Sequence, residues 1–132
     1  MSLPTFRYWN DKTKEMVCPS QKNIHELRRF FEHIGHYIGY NQIHLMQYTG
    51  FLDKTDSKIF EGDILQIKMS NDIVSYCYLS EVKYITGFFG VYRYGSWFPM
   101  ANLARPGDKL TILGNIYENP ELIKLVETSR QK

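Results

Sequence analysis

Four histidines form a group that could in principle bind a metal ion. They lie within twenty positions of one another, and imidazole is a common ligand of transition metals. The four are His25, His33, His36 and His44. A tetrahedral zinc site needs a complete ligand set, and no cysteine or pair of carboxylates lies at a suitable spacing beside them. We therefore expect imidazoles at or near the surface, with no bound metal and no cofactor.

A second combination joins the carboxylates of Glu61 and Asp63 to a histidine such as His44. General acid–base catalysis needs two titratable groups that converge in one pocket, and positions in the sequence do not establish this. A local role explains the same carboxylates, because they flank Gly62 at a sharp turn. We expect no catalytic residues and no enzymatic activity.

The third feature is a concentration of aromatic residues between positions 76 and 98. They are Tyr76, Tyr78, Tyr84, Phe88, Phe89, Tyr92, Tyr94, Trp97 and Phe98. A small β domain has one interior, so some of these rings must lie outside it. Exposed rings and arginines are enriched at the centres of protein interfaces, whereas rings beside cations also stack on nucleobases. This stretch therefore carries the candidate binding site.

The alternation of a β-strand sorts these rings into two faces. Tyr92 and Tyr94 share one face, and the odd-numbered residues of 89–93 take the other. If Phe89 and Val91 point into the core, the rings on the other face form an outer cluster of Tyr92, Tyr94 and Trp97. In that cluster Trp97 lies across from Tyr94. The alternative places Tyr92 and Tyr94 in the core. The candidate interface residues are Tyr92, Arg93, Tyr94 and Trp97.

The charge balance favours a protein partner over a nucleic acid. Sixteen basic and fourteen acidic residues give a net charge of +2, whereas nucleic-acid-binding domains usually present a strongly basic face. The favoured hypothesis is a non-enzymatic interaction module that binds a protein or associates with itself. The alternative is a nucleic-acid-binding module that uses the aromatic sheet face with Lys83, Arg93 and Arg105.

Composition is typical of a folded globular protein. The 132 residues suffice for one domain, which we place at 1–132, and 43% are hydrophobic. Aromatic residues make up 15%, which favours β-strands. No apolar run approaches the roughly 20 residues of a membrane helix. Cys18 and Cys77 lie far apart, so we expect two buried thiols in a reducing cytoplasm.

Two helices are predicted near the ends of the chain. Asn23 as an N-cap and Glu26 as its reciprocal acid begin a helix over roughly 24–34, which Gly35 would end. Asn119 followed by a proline begins a second helix over roughly 120–128. Each helix carries apolar residues at helical spacing.

The remaining pattern is that of a meander of short strands. A hairpin joins residues 5–9 to 15–18, and a strand begins at Gly62-Asp63, where glycine can take a positive φ and the carboxylate can accept a backbone N–H. Further strands are predicted over 73–85, 88–94 and 109–117, with turns at 86–87, 95–96 and 105–108. The sequence therefore predicts a mainly β fold with two short helices, a small antiparallel barrel-like meander of which an SH3-like barrel is one example.

Three stretches carry a family pattern: FRYWNDKTKEM at 6–16, QYTGFLDKTDSKIFEGDIL at 47–65 and ILGNIYENPELI at 112–123. In this order they resemble the YopX family of phage and prophage proteins, over nearly the whole chain. Thr49-Gly50 and Glu61-Gly62-Asp63-Ile64 stand as in that family, whereas Asp56-Ser57 replaces a frequent Asn-Gly, a change that affects only the turn. The resemblance implies a phage or prophage origin, a mostly β fold and no assigned activity, so it supplies no catalytic residue.

Overall fold

The computed structural model describes residues 4–38, 42–70, 75–93, 95–103 and 109–130. Its contacts divide the chain into two compact units, residues 1–48 and 49–132, which are described one at a time. The described strand pairs are antiparallel, one helix follows the first hairpin and the other follows the last strand, so the predicted mainly β meander is confirmed. The single domain and the SH3-like form stay predictions.

The first unit is a small sheet with one helix. Strands β1 (Phe6–Asn10) and β2 (Glu15–Val17) form the predicted hairpin. Helix α1 (Ile24–Ile38) follows, and β3 (Ile43–Leu52) then pairs with the other edge of β1 before it continues into the second unit. The core of this unit is buried Tyr8, Phe30 and Ile34, with Phe6, Val17 and Ile43 packed around it.

Helix α1 begins where the sequence predicts and ends later. The Glu26 N–H donates to Asn23 Oδ1 at 3.0 Å, which confirms the N-cap. The Glu26 carboxylate does not bond back to Asn23; it accepts the Lys22 N–H at 2.7 Å. The prediction that the helix ends at Gly35 is wrong. Glycine ends a helix where the backbone turns to positive φ, and Gly35 keeps the helical range, so the helix runs on to Ile38.

The second unit contains most of the strands. The end of β3 pairs with β4 (Lys58–Phe60), and β5 (Asp63–Ser70) lies between β10 (Lys109–Asn115) and β6 (Ser75–Glu81). A further sheet has the order β7 (Lys83–Ile85), β8 (Phe88–Arg93), β9 (Ser96–Pro99), followed by a 3-10 turn at Met100–Asn102. Helix α2 (Leu122–Arg130) follows β10. The buried core comprises Ile59, Leu65, Ile67, Val82, Val91, Met100, Leu103 and Leu110.

The predicted strand start at Gly62-Asp63 is confirmed in its details. Gly62 has a φ of 83°, and the Phe60 N–H donates to Asp63 Oδ2 at 2.8 Å. Asp63 is 1% exposed. The Gly62 N–H donates to the Val82 carbonyl and the Gly62 carbonyl accepts the Ile116 N–H, each at 2.9 Å. The backbone of this step therefore connects its own segment to two others in the second unit, at Val82 and Ile116.

Three predicted boundaries in the second unit differ from the structure. The strand over 73–85 is interrupted at Val82, which exchanges backbone hydrogen bonds with Gly62 and Asp63 instead of continuing a ladder. The last strand ends at Asn115, whose side chain accepts the N–H groups of the next turn. Helix α2 begins two residues late because Asn119 Oδ1 accepts the Asn115 N–H and does not cap the helix. Residues 73–74 and the turn at 105–108 lie outside the described residues.

The Asp53 carboxylate ties the β3–β4 turn to strand β10. Its Oδ1 accepts the N–H groups of Thr55 at 2.8 Å and Ser57 at 3.0 Å. Its Oδ2 accepts the Ile112 N–H at 3.3 Å. Burial raises the pKa of Asp53, but the hydrogen bonds from Thr55, Ser57 and Ile112 outweigh that effect and hold the pKa below its ordinary value.

Replacing Asp53 with asparagine should make stability less dependent on acid pH. Because the folded pKa lies below the unfolded value of about 3.9, the carboxylate stabilises the fold above that pH and loses its contribution as pH falls through the folded pKa. Urea unfolding at pH 7, 5 and 3 should show a stability gap between the protein and Asp53→Asn that narrows with acidification. A gap of constant size would contradict this role for Asp53.

Candidate interaction surface

The register of β7, β8 and β9 sorts the aromatic residues onto two faces. Val91 pairs with Phe98 and Tyr84 with Phe89. Val91 is fully buried in the core of the second unit, where Phe89 and Phe98 pack against it. The residues of alternate parity lie on the opposite side of the sheet. We call that side the ring face: Lys83, Ile85, Phe88, Gly90, Tyr92, Trp97 and Pro99.

Trp97 is the centre of the ring face. It pairs with Tyr92 across the β8–β9 hairpin, with ring centroids 5.7 Å apart at an angle of 64°. Its centroid lies 6.4 Å from that of Phe88. The indole rests on Gly90, because a Cβ added there would stand 3.0 Å from Trp97 Nε1 and Cε2. The missing side chain of Gly90 therefore leaves the space that the indole occupies against β8.

The ring face is apolar and partly accessible. Phe88, Tyr92 and Trp97 are half-buried, and Ile85 at its rim is 40% exposed. The Trp97 Nε1–H is shielded from solvent and has no hydrogen-bond acceptor among the described residues. A shielded N–H without an acceptor costs free energy. The face therefore contains a donor that is not used within the described part of the chain.

The predicted interface residues meet this geometry in part. Tyr92 and Trp97 adjoin on the ring face, but Trp97 lies across from Tyr92 and not from Tyr94, because the hairpin register pairs Arg93 with Ser96. Tyr94 and the side chain of Arg93 lie outside the described residues. The sequence interpretation did not identify Gly90 as the residue against which the indole packs. The alternation of a strand already places Gly90 on the same face as Tyr92.

The nucleic-acid hypothesis depends on three basic residues, and the structure describes the side chain of Lys83 alone among them. Lys83 lies on the ring face and is half-buried. Arg105 lies outside the described residues, as does the side chain of Arg93. Among the described residues the ring face has one half-buried lysine, whereas binding to backbone phosphates usually uses several cations.

The residues considered for acid–base chemistry have structural partners. The His44 Nε2 lies 2.6 Å from Asp11 Oδ2, and Trp9 Nε1–H donates to Asp11 Oδ1 at 2.9 Å. The hydrogen bond with His44 lowers the pKa of the Asp11 carboxyl. The Asp63 carboxylate is buried at its turn, where it accepts a backbone N–H. These contacts account for His44 and Asp63 through local structure.

The other titratable groups give no metal site in the described ranges. No group of three histidine, cysteine or carboxylate side chains converges within them, and the His36 side chain is not among those described. Neither cysteine is in a disulfide, and both are exposed, so the expectation of buried thiols is wrong. Cys18 follows the end of β2, and Cys77 lies in β6, which pairs with β5 alone in its sheet.

Comparison with known proteins gives a family and a fold. The sequence matches the family described as YopX protein over residues 5–124. The crystal structure of protein EF1440 from Enterococcus faecalis is similar, with a TM-score of 0.61 and 24% identity over 93% of this chain and 99% of that one. At this identity the likeness shows a shared fold. No curated protein matches the chain in sequence.

Proposed function

This chain belongs to the YopX family, and we propose that it is a non-enzymatic protein-interaction module that docks its partner on the ring face. The main support for this proposal is that the aromatic side chains of the β7–β8–β9 sheet lie on both of its faces. Phe89 and Phe98 pack on the core, whereas Phe88, Tyr92 and Trp97 form a connected cluster on the opposite side. Clustered aromatic anchors are typical of the residues that supply most of an interface's binding energy.

The chemistry of the ring face suits a protein partner. Lys83 is its single charged residue, and interface centres are depleted in charge. The net charge of +2 allows a second copy of the chain to serve as that partner without strong repulsion.

We infer the cellular setting of this interaction from the family resemblance. We place the protein in the cytoplasm of a bacterial host, as an accessory protein of phage or prophage origin. Within the described residues, no helix combines the length and apolar composition needed to cross a membrane.

Replacing Tyr92 with serine should weaken binding with little effect on the fold. Tyr92 is half-buried and leans on Trp97, so we expect a stability loss of about 1 kcal/mol and at least a tenfold loss in partner affinity. Sedimentation velocity over a concentration series measures self-association, the form of binding that the purified chain can show. Tyr84→Ser is the matched control, because Tyr84 is 53% exposed on the opposite face of the same sheet.

Photo-crosslinking identifies the partner class inside the producing cell. A benzophenone amino acid at Ile85 places the probe at the rim of the ring face, and the same probe at Tyr84 reports on the other face. We expect protein adducts from position 85 that Tyr92→Ser removes and that position 84 lacks. Adducts sensitive to nuclease would favour the nucleic-acid alternative. Equal adducts from both positions would contradict a docking role for the ring face.

A further inference from the structure

The first unit contains a cleft that is unrelated to the ring face. It has a volume of about 280 Å³ and is lined by Pro19, Ser20, Glu26, Arg29, Phe30 and His33. Phe30 belongs to the core of this unit and is 3% exposed, so the base of the cleft is apolar and fixed. The volume lies just below the usual range for small-molecule sites, about 300–1,000 Å³, which limits an occupant to a small molecule or one terminal residue of a chain.

Arg29 is a basic residue of the cleft lining, and its guanidinium N–H groups have no acceptor within the described ranges. Within the described ranges its guanidinium makes no hydrogen bond or ion pair; its one interaction is with the charge of Glu26. The neighbouring Arg28 differs, since its Nε lies 3.4 Å from Glu32 Oε1. A guanidinium presents several N–H donors in a planar fork that matches a carboxylate.

Two other titratable residues of the lining, Glu26 and His33, already have hydrogen-bond partners. Glu26 Oε2 accepts the Lys22 N–H at 2.7 Å and the Ser20 hydroxyl at 2.9 Å, and the first of these bonds is the main reason that the pKa of Glu26 is lowered. His33 Nε2 lies 3.3 Å from the hydroxyl of buried Tyr8. The Glu26 charge is therefore stabilised at one end of the cleft, and Arg29 is the cation with donors left for a ligand.

We propose that this cleft binds a carboxylate carried on a compact apolar or aromatic group. The carboxylate pairs with the Arg29 guanidinium, and the apolar part lies against Phe30 and Pro19. A free aromatic acid and the C-terminal residue of a polypeptide present the same two features. The ring face of the second unit takes no part, so this site stands or falls independently of the proposed protein interaction.

Amide chemical shifts in ¹⁵N-labelled protein test the proposal with matched probes. Benzoate should shift the amides of 19–33 in a saturable manner, whereas its neutral isostere benzamide should bind at least fivefold more weakly. N-acetylphenylalanine and its amide repeat the comparison for a chain terminus. Tighter binding of N-acetylphenylalanine than of benzoate assigns a polypeptide end, and the reverse assigns a free acid.

Single substitutions test whether Arg29 is the residue that binds the carboxylate. Arg29→Gln should weaken benzoate binding at least fivefold, and the control Arg28→Gln should leave it unchanged, because Arg28 is paired with Glu32. Glu26→Gln removes a like charge and keeps an acceptor for Ser20 and Lys22, so it should bind benzoate at least as tightly. Equal affinity for benzoate and benzamide, or full affinity in Arg29→Gln, would overturn the proposal.

Discussion

Replacing Gly62 with valine should lower the free energy of unfolding by about 1–3 kcal/mol. The φ of 83° at Gly62 lies where a β-branched side chain clashes with its own backbone. Relaxing that angle would turn the Gly62 N–H and carbonyl away from Val82 and Ile116, to which they bond at 2.9 Å. The expected loss therefore includes backbone hydrogen bonds as well as local strain, and urea denaturation measures it.

Gly62→Asn is the control that isolates the backbone angle. Asparagine tolerates positive φ better than other residues with a Cβ, so its cost should be clearly smaller than that of valine. Similar losses for the two variants would mean that side-chain volume in the buried surroundings of Gly62, and not φ, sets the penalty.

Local signals predicted much of the fold because their causes lie within a few residues. The N-cap at Asn23 is satisfied by the N–H of a residue three positions later, and the Asp63 carboxylate is satisfied three positions earlier. The tight turn at Thr86-Gly87 is likewise local, with φ of 55° and 91°. Asp56 shows the same point, since its φ of 65° is one that asparagine or glycine also accepts.

The features that the sequence did not predict depend on distant partners. Asp53 accepts the N–H of Ile112, fifty-nine positions away, and nothing near Asp53 indicates that contact. The pairing of Trp97 with Tyr92 depends on a hairpin register that the turn residues alone did not reveal. The sequence gives no sign of a cleft at Arg29, because that cleft is lined jointly by Pro19 and Ser20, which precede helix α1, and by residues of α1 itself.

Replacing Gly90 with alanine should destabilise the second unit by about 1–3 kcal/mol and displace Trp97 from the ring face. A Cβ at this position would lie 2.6 Å from the carbonyl oxygen of Phe98 and 3.0 Å from the indole. The indole can swing away, but the carbonyl belongs to the backbone of β9, so the hairpin itself must shift. Urea denaturation measures the loss, and near-ultraviolet circular dichroism reports the displaced indole.

Gly35→Ala supplies the matched control, because a Cβ there meets no atom within 4 Å and the residue is helical. It should stabilise the protein by about 0.5–1 kcal/mol, since alanine favours the helix. If Gly90→Ala also weakens self-association as strongly as Tyr92→Ser, the position of the indole and the docking of the partner depend on the same glycine. Unchanged stability and an unchanged aromatic spectrum in Gly90→Ala would contradict the close packing of Trp97 on β8.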